Sequence, residues 1–405
     1  MTFWNDPINF IANWLTGLLT GWGVPDLWAT IIEYALGITA LIVFAMVLDI
    51  LLVWVERKVV ARFQDRLGPN RIGPFGLIQP FADIIKLVIK EDITPANADK
   101  VVYNIAPVLA ATSVISLWAI LPLSSRIFGV DMNVALLYLV AAGALGTLAI
   151  IMAGWSSNNK YALIGAFRMV ANMVSYEIPM VIILLIPTIL ADTMSVQGIT
   201  QAQSGIWFAI LSPLGFIIFF ISAIAELGRS PFDLIEAESE LTAGFNVEYS
   251  GMKFGWFFAS ELLHAFTFGG FMAVLFFGGY GGFFGLEKVA GFGWLTNPFV
   301  ESAVFLAKAM FGYWAIMWVK YSMPRVRIDH MLAFNWKFLV PLSLALLVTT
   351  AILHKLLIVL PTWQYAVGMF ASNVVIITGT IEILRAHGRK QRKAEEKLSP
   401  QPVKN

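Results

Sequence analysis

Long apolar runs alternate with short polar stretches along this chain, and the runs reach the roughly 20 residues that a membrane-crossing helix needs. They fall at about 29–55, 101–124, 134–154, 169–191, 206–225, 262–284, 299–319, 338–360 and 363–384. The third, VALLYLVAAGALGTLAIIMAG, carries no charge, whereas the fourth contains Glu177 and the last is diluted by Ser, Asn and Thr. Continuous rather than alternating runs argue against a closed β-barrel. The predicted fold class is all-α: a polytopic transmembrane helical bundle of eight core spans plus a ninth. Ahead of the first span, Ile8, Ile11, Leu15, Leu18 and Trp22 recur at helical spacing opposite Asn9, Asn13 and Thr16. That pattern predicts an interfacial helix within residues 1–28. No basic region of a cleavable signal precedes it, so mature sequence is expected there.

Composition points the same way. Hydrophobic residues make up 58% of the chain and charged residues 13%, with a mean hydropathy of +0.76; a soluble domain carries about 25% charged residues. The few cations then set an orientation. Arg57, Lys58, Arg62, Arg66, Arg71, Lys86, Lys90 and Lys100 crowd the loop 56–100, and Lys320, Arg325, Arg327 and Lys337 the loop 320–337. The alternate loops hold little beyond Arg126 and Lys288. By the positive-inside rule the basic loops are cytoplasmic and the N-terminus lies outside. A transmembrane domain over 29–384, with large cytoplasmic loops at 56–100 and 226–261, leaves residues 385–405 as a basic, disordered cytoplasmic tail. Arg389, Lys390, Arg392 and Lys393 in that tail fall inside only if the ninth span exists.

The chemistry concentrates between Ala225 and Leu262. This stretch carries the carboxylates Glu226, Asp233, Glu236, Glu238, Glu240, Glu248 and Glu261, with Arg229 and Lys253 as the balancing cations. Its apolar interleaving and membrane-grade flanks distinguish it from a plain solvated loop, and acids held against a bilayer commonly mark a proton or ion path. If 233–240 is helical, Asp233, Glu236 and Glu240 fall within about 60° of one another and Glu238 points elsewhere. Three like charges on one face cannot all stay ionised cheaply, so the cluster is expected to titrate as a unit. Glu177 lies inside its own span, and Lys308 lies near the middle of the span 299–319, where a lysine costs roughly 2.5–3.5 kcal/mol. Lys308 is therefore expected to face the interior and pair with Glu177 or Glu226.

Zero cysteines exclude a Cys-ligated iron–sulfur cluster within the chain. His264 and His354 fall near opposite ends of their spans and cannot share one haem, and His330 and His387 lie in loops. No strand-borne, Gly-rich dinucleotide fingerprint is present. In the loop 56–100, Gly68-Pro69, Gly73-Pro74 and Pro80 predict a compact turn-rich segment, followed by a helical pattern with Phe81, Ile84, Ile85, Val88 and Ile89 on its apolar side. Taken alone, such a loop suits contact with lipid phosphates.

Four strings in this order, ERKVVARFQDRLGPNRIGPFGLIQPFADIIKL, MVSYE, PFDLIEAESELTAGFNVEYSG and MPRVRIDHM, resemble the family of the H subunit of bacterial NADH-quinone oxidoreductase, respiratory complex I. The similarity runs from about residue 29 to about 360. The resemblance implies a membrane subunit at the quinone site of a proton-pumping enzyme. Quinone would be its substrate, and FMN and iron–sulfur clusters would sit on partner subunits. It implies as partners the other membrane-arm and peripheral-arm subunits, quinone and the lipid bilayer, with no nucleic acid, and a multi-pass place in the bacterial plasma membrane.

Carried over motif by motif, Glu56, Arg57 and Lys58 match the family's ERK. The resemblance implies a proton path through Asp83, Glu177, Glu226, Asp233, Glu236, Glu238, Glu240, Glu248, Glu261 and Lys308. It implies a quinone chamber near Arg57, Arg62, Phe63, Arg66 and Lys86. Most aromatic rings of the chain suit lipid or interface contacts; those near the first loop, Phe63, Phe75 and Phe81, are the ones placed to touch a quinone ring or tail. Departures are local: Leu227-Gly228 replaces Thr-Asn, Ala237 replaces Gly, Leu262 replaces Tyr, and Lys320 replaces an Arg. Asp49 and the ninth span are not expected of the family. Two other readings stay open: the homologous subunit of a ferredoxin-linked or hydrogen-evolving complex, which would share the acid path, and, from a different class, an independent proton-coupled transporter. The latter would carry paired inverted repeats or matched broken helices, which the sequence does not display.

Overall fold

A computed structural model describes residue 4 and residues 6–233, 244–281 and 293–398. Among them it is all helical, with eight helices long and apolar enough to cross a membrane. The order is α1 Pro7–Gly21, α2 Asp26–Phe63, α3 Gln79–Ile89, α4 Lys100–Leu117, α5 Ala135–Ser156, α6 Lys160–Ala191, α7 Val196–Ala202, α8 Phe208–Leu211 and α9 Pro213–Glu226. Then follow α10 Gly251–Phe276, α11 Pro298–Ser322, α12 Ile328–Leu357 with a π-helical turn at Asn335–Leu339, and α13 Thr362–Leu398. The chain is a polytopic helical membrane protein.

The predicted fifth span is the exception to the long helices. Its 206–225 register is broken at Ser212–Pro213, where proline has no N–H for the preceding turn. The remaining α9 has 14 residues, about 21 Å at 1.5 Å per residue, too short to cross a hydrocarbon core of about 30 Å alone. Three helices also overrun their sequence bounds. Charged residues alone do not end a helix, and no glycine or proline interrupts the end of α2, so it stays helical through Glu56, Arg57 and Arg62 to Phe63. At its start, α10 already runs from Gly251, which puts Glu261 on a helix rather than in a loop. The last helix, α13, continues through the basic stretch after 385 to Leu398.

α10 forms the axis of the bundle: 72% of its apolar stretch is buried, against 11% for α2. It packs on α2, α3, α4, α9 and α11. Glycines let it approach α11 closely, since a Cβ added at Gly269 would stand 2.5 Å from the Ala309 carbonyl oxygen. Polar side chains tie other helices together where no water competes. Trp118 Nε1 donates to Thr267 Oγ1 (2.9 Å), Asn172 Nδ2 to the Ala225 carbonyl (2.9 Å), and Asn335 Nδ2 to the Ser175 carbonyl (2.6 Å).

Candidate functional site

Three neighbouring features make up the site: a buried charge network, a small cavity beside it and a larger apolar cavity. The network begins with Glu56, which α2 carries into the protein, 7% exposed. Its Oε1 accepts from Lys320 Nζ at 2.8 Å, from the Tyr321 hydroxyl at 2.5 Å and from Arg229 Nη1 at 3.2 Å. Arg229, just beyond α9, is 4% exposed and also faces Glu261 of α10, Nε to Oε1 3.3 Å. Burial works against its charge, but the Glu261 and Glu56 carboxylates outweigh it and hold the guanidinium proton more tightly than in a free arginine. Residues from α2, the α9 end, α10 and α11 thus meet in one ion cluster.

Beside it, a cavity of about 70 Å³ is lined by Glu226, Glu261, His264, Ser113, Ser260 and Asn246, among apolar residues. That volume and polar lining suit a few water molecules. Glu226 ends α9 with its Oε2 buried and without a hydrogen-bond partner. Glu177 of α6 is half-buried and within electrostatic reach of Glu226. The structure therefore brings Glu177, Glu226 and Glu261 into one neighbourhood with Glu56 and Arg229.

The second cavity is larger, about 310 Å³, and mostly apolar. α2 supplies Ala45, Met46, Asp49, Ile50, Val53 and Arg57; α3 supplies Pro80, Asp83, Ile84, Lys86 and Leu87. α4 and α10 close it with Ala111, Ile115, Phe254, Trp256, Phe258 and Leu263. The strongly amphipathic α3 has its sequence-predicted form and lies along α2 and α10. Charges gather at one part of the wall, where Asp83 pairs with Arg57 at 2.5 Å and with Lys86 at 3.3 Å.

The other sequence-predicted residues disperse. Arg62, Phe63 and Arg66 lie exposed around the end of α2, Phe63 against the Tyr321 ring at 6.2 Å. Phe75 and Phe81 are exposed as well. Asp233 pairs with Arg325 at 3.0 Å. Glu248 stands at the α5–α6 turn, accepting from Asn159 Nδ2 at 2.7 Å, beside Tyr249, whose hydroxyl burial pushes up to about 12. Glu236, Glu238 and Glu240 lie outside the described residues.

Lys308 corrects the expected pairing with Glu177 or Glu226. Its Nζ donates to the carbonyl oxygens of Phe277 (2.8 Å), Gly279 (2.9 Å) and Gly281 (2.6 Å), over the Trp207 ring. Those carbonyls follow the C-terminal end of α10, where unmet acceptors and the helix dipole favour a cation. Glu261 lies roughly 24 Å earlier along the same helix axis. Lys308 sits beyond the C-terminal end of α10, whereas Glu261 lies near the middle of that helix.

Arg229, Lys320 and Tyr321 were not among the sequence candidates. Their signal was present but diffuse: a lone arginine inside an acidic stretch, and a basic residue closing an apolar span.

Comparison with known proteins identifies the family. A family model described as NADH dehydrogenase matches residues 36–351. The H subunit of NADH-quinone oxidoreductase from Dehalococcoides mccartyi (strain CBDB1) is 44% identical over 80% of this chain and 87% of its own length. The chain belongs to the H-subunit family of NADH-quinone oxidoreductases. Family members of the same name from Phocaeicola vulgatus (41% identical, 86% of this chain, 98% of theirs) and Geobacillus thermodenitrificans (42%, 74% and 88%) extend the likeness across much of the bundle. Membership makes the chain a subunit of an enzyme complex. The matched residues run from within α2 to most of α12 and exclude α13.

Proposed function

We propose that this chain is the membrane subunit through which quinone enters an NADH-quinone oxidoreductase, and that its buried acids couple quinone reduction to proton translocation. The observation that carries the proposal is the 310 Å³ apolar cavity between α2, α3, α4 and α10, with Asp83, Arg57 and Lys86 in its wall. An apolar passage suits an isoprenoid tail, and a few charged groups suit a polar ring at its end. Electrons reach the quinone from iron–sulfur clusters on a partner, since this chain has no cysteine with which to hold one. Reduction takes up two electrons and two protons per quinone. Glu56, Glu261, Glu226 and Glu177 supply a chain of carboxyl groups whose charges influence one another, as a proton-linked response requires. The expected setting is the bacterial plasma membrane, N-terminus outside, with the basic loops turned to a peripheral arm on the cytoplasmic side.

Photolabelling the assembled complex with an azido-quinone tests the passage. Label is expected on the segments 45–57, 80–87 or 252–263, and excess unmodified quinone should suppress it. Quinone-protectable label confined to other segments would refute the proposed entry.

A further inference from the structure

We propose that Asp49 is an additional contact for the quinone headgroup, exchanging hydrogen bonds with quinone and quinol and linking the cavity to Glu56 through Tyr313. The inference rests on the reading of the larger cavity as the quinone passage.

Asp49 lies outside the ERK motif and outside the acidic stretch, in an apolar part of α2. It lines the large cavity with Ala45, Met46, Ile50 and Val53 of the same helix. Its Oδ1 is buried and has no hydrogen-bond partner. A buried polar atom in that state is costly and normally calls for a water, an ion or a ligand. The other charged groups and the serine hydroxyl in the wall are engaged: Arg57 and Lys86 close on Asp83, and Ser260 Oγ donates to the Phe257 carbonyl at 2.7 Å. Among the described charged groups of the lining, Asp49 is the one left to meet an occupant.

Its chemistry fits both redox forms of such an occupant. A quinone ring offers carbonyl acceptors and a quinol offers hydroxyl donors. A carboxyl group can donate to the first when protonated and accept from the second in either state. Arginine and lysine can only donate.

The same residue also reaches the ion network. At 100° per residue, Asp49 and Glu56 fall within about 20° of one face of α2, roughly 10 Å apart along its axis. The two are within electrostatic reach of one another. Tyr313 of α11, its ring 6.1 Å from that of Phe266 on α10, has its hydroxyl buried and without a hydrogen-bond partner. Tyr313 is in electrostatic reach of Glu56, Arg229, Tyr321 and Asp49 together. A change in what Asp49 binds therefore alters the field at Tyr313 and Glu56, while Arg57, Lys86 and Asp83 set the charge of the wall around it.

The test uses the whole complex, with the chain replaced by its variants and turnover measured per assembled enzyme. Asp49→Leu should raise the KM for a short-tailed quinone about fivefold, the value of one lost hydrogen bond, and Asp49→Asn should bring it back to within about twofold of wild type. Infrared difference spectra should show a carboxyl band that shifts when quinone is added to wild type and is missing in Asp49→Asn. A packing role alone would not produce that band. Met46→Trp, which fills the same cavity without touching a carboxyl, separates the two ideas. Unchanged quinone kinetics in Met46→Trp would overturn the passage itself. Impaired kinetics there, together with a wild-type KM in Asp49→Leu and no quinone-sensitive band assigned to Asp49, would overturn the inference about Asp49 alone.

Discussion

Replacing Arg229 with glutamine tests the idea that the ion cluster, rather than apolar packing alone, joins α2, α10 and α11. The Arg229 side chain is 3% exposed and faces Glu56 at 3.2 Å and Glu261 at 3.3 Å. Removing one partner of a buried pair costs about 3–5 kcal/mol because the other charge stays behind. Here the residual cost is partly relieved. Glu56 keeps Lys320 and Tyr321, and the Glu261 side chain, 33% exposed, can draw on water. The expected loss therefore sits at the low end, about 3 kcal/mol, or roughly 150-fold in the folded-to-unfolded ratio. Loss of the assembled complex on heating in detergent would be followed for wild type, Glu56→Gln, Arg229→Gln and the double variant. The cycle should return a coupling of about 1–3 kcal/mol. Pairing Arg229→Gln with Glu261→Gln should return less than about 1 kcal/mol, since that contact is more solvated. If Arg229→Gln and the double variant both stay within about 0.5 kcal/mol of wild type, the cluster contributes nothing to assembly and the argument fails.

Glu226→Gln removes a titratable group from the small cavity while conserving shape. It should assemble normally and lose at least about tenfold in coupled quinone reduction; wild-type turnover and pumping would count against a proton role. Lys308→Met leaves the carbonyls of Phe277, Gly279 and Gly281 without their shared cation. It should cost about 3 kcal/mol of stability, read as a lower thermal midpoint, with turnover per surviving complex unchanged. A normal midpoint with lost pumping would instead favour the acid-pairing role expected from sequence.

Local patterns in the sequence carried the fold because a membrane enforces them. Apolar length alone marked each long helix, and the uncharged stretch that became α5 needed no tertiary information. The fifth span shows the limit of that reasoning. Hydropathy averages over Ser212–Pro213 and does not register a single proline that divides one apolar run into α8 and α9. Helix ends were equally blurred by charge. Glu56 and Glu261 look like loop residues by polarity, yet each lies on a continuing helix and points into the protein.

The site was legible as a set of acids but not as a set of pairs. Arg229 and Lys320 stand 173 and 264 residues from Glu56, so no helical spacing could reveal those contacts. Lys308 failed for the complementary reason. Its depth in a span correctly required a partner, but backbone carbonyls at a helix end have no signature in side-chain identity. What the sequence did hold, without announcing it, is the seven-residue step from Asp49 to Glu56. Two turns of one exposed apolar helix place one carboxyl on the cavity and the other in the ion cluster. That makes α2 the element through which an occupant of the apolar space and the buried charges can act on each other. A variant that rotates this face, rather than one that deletes a single acid, should therefore disturb quinone kinetics and cluster stability together.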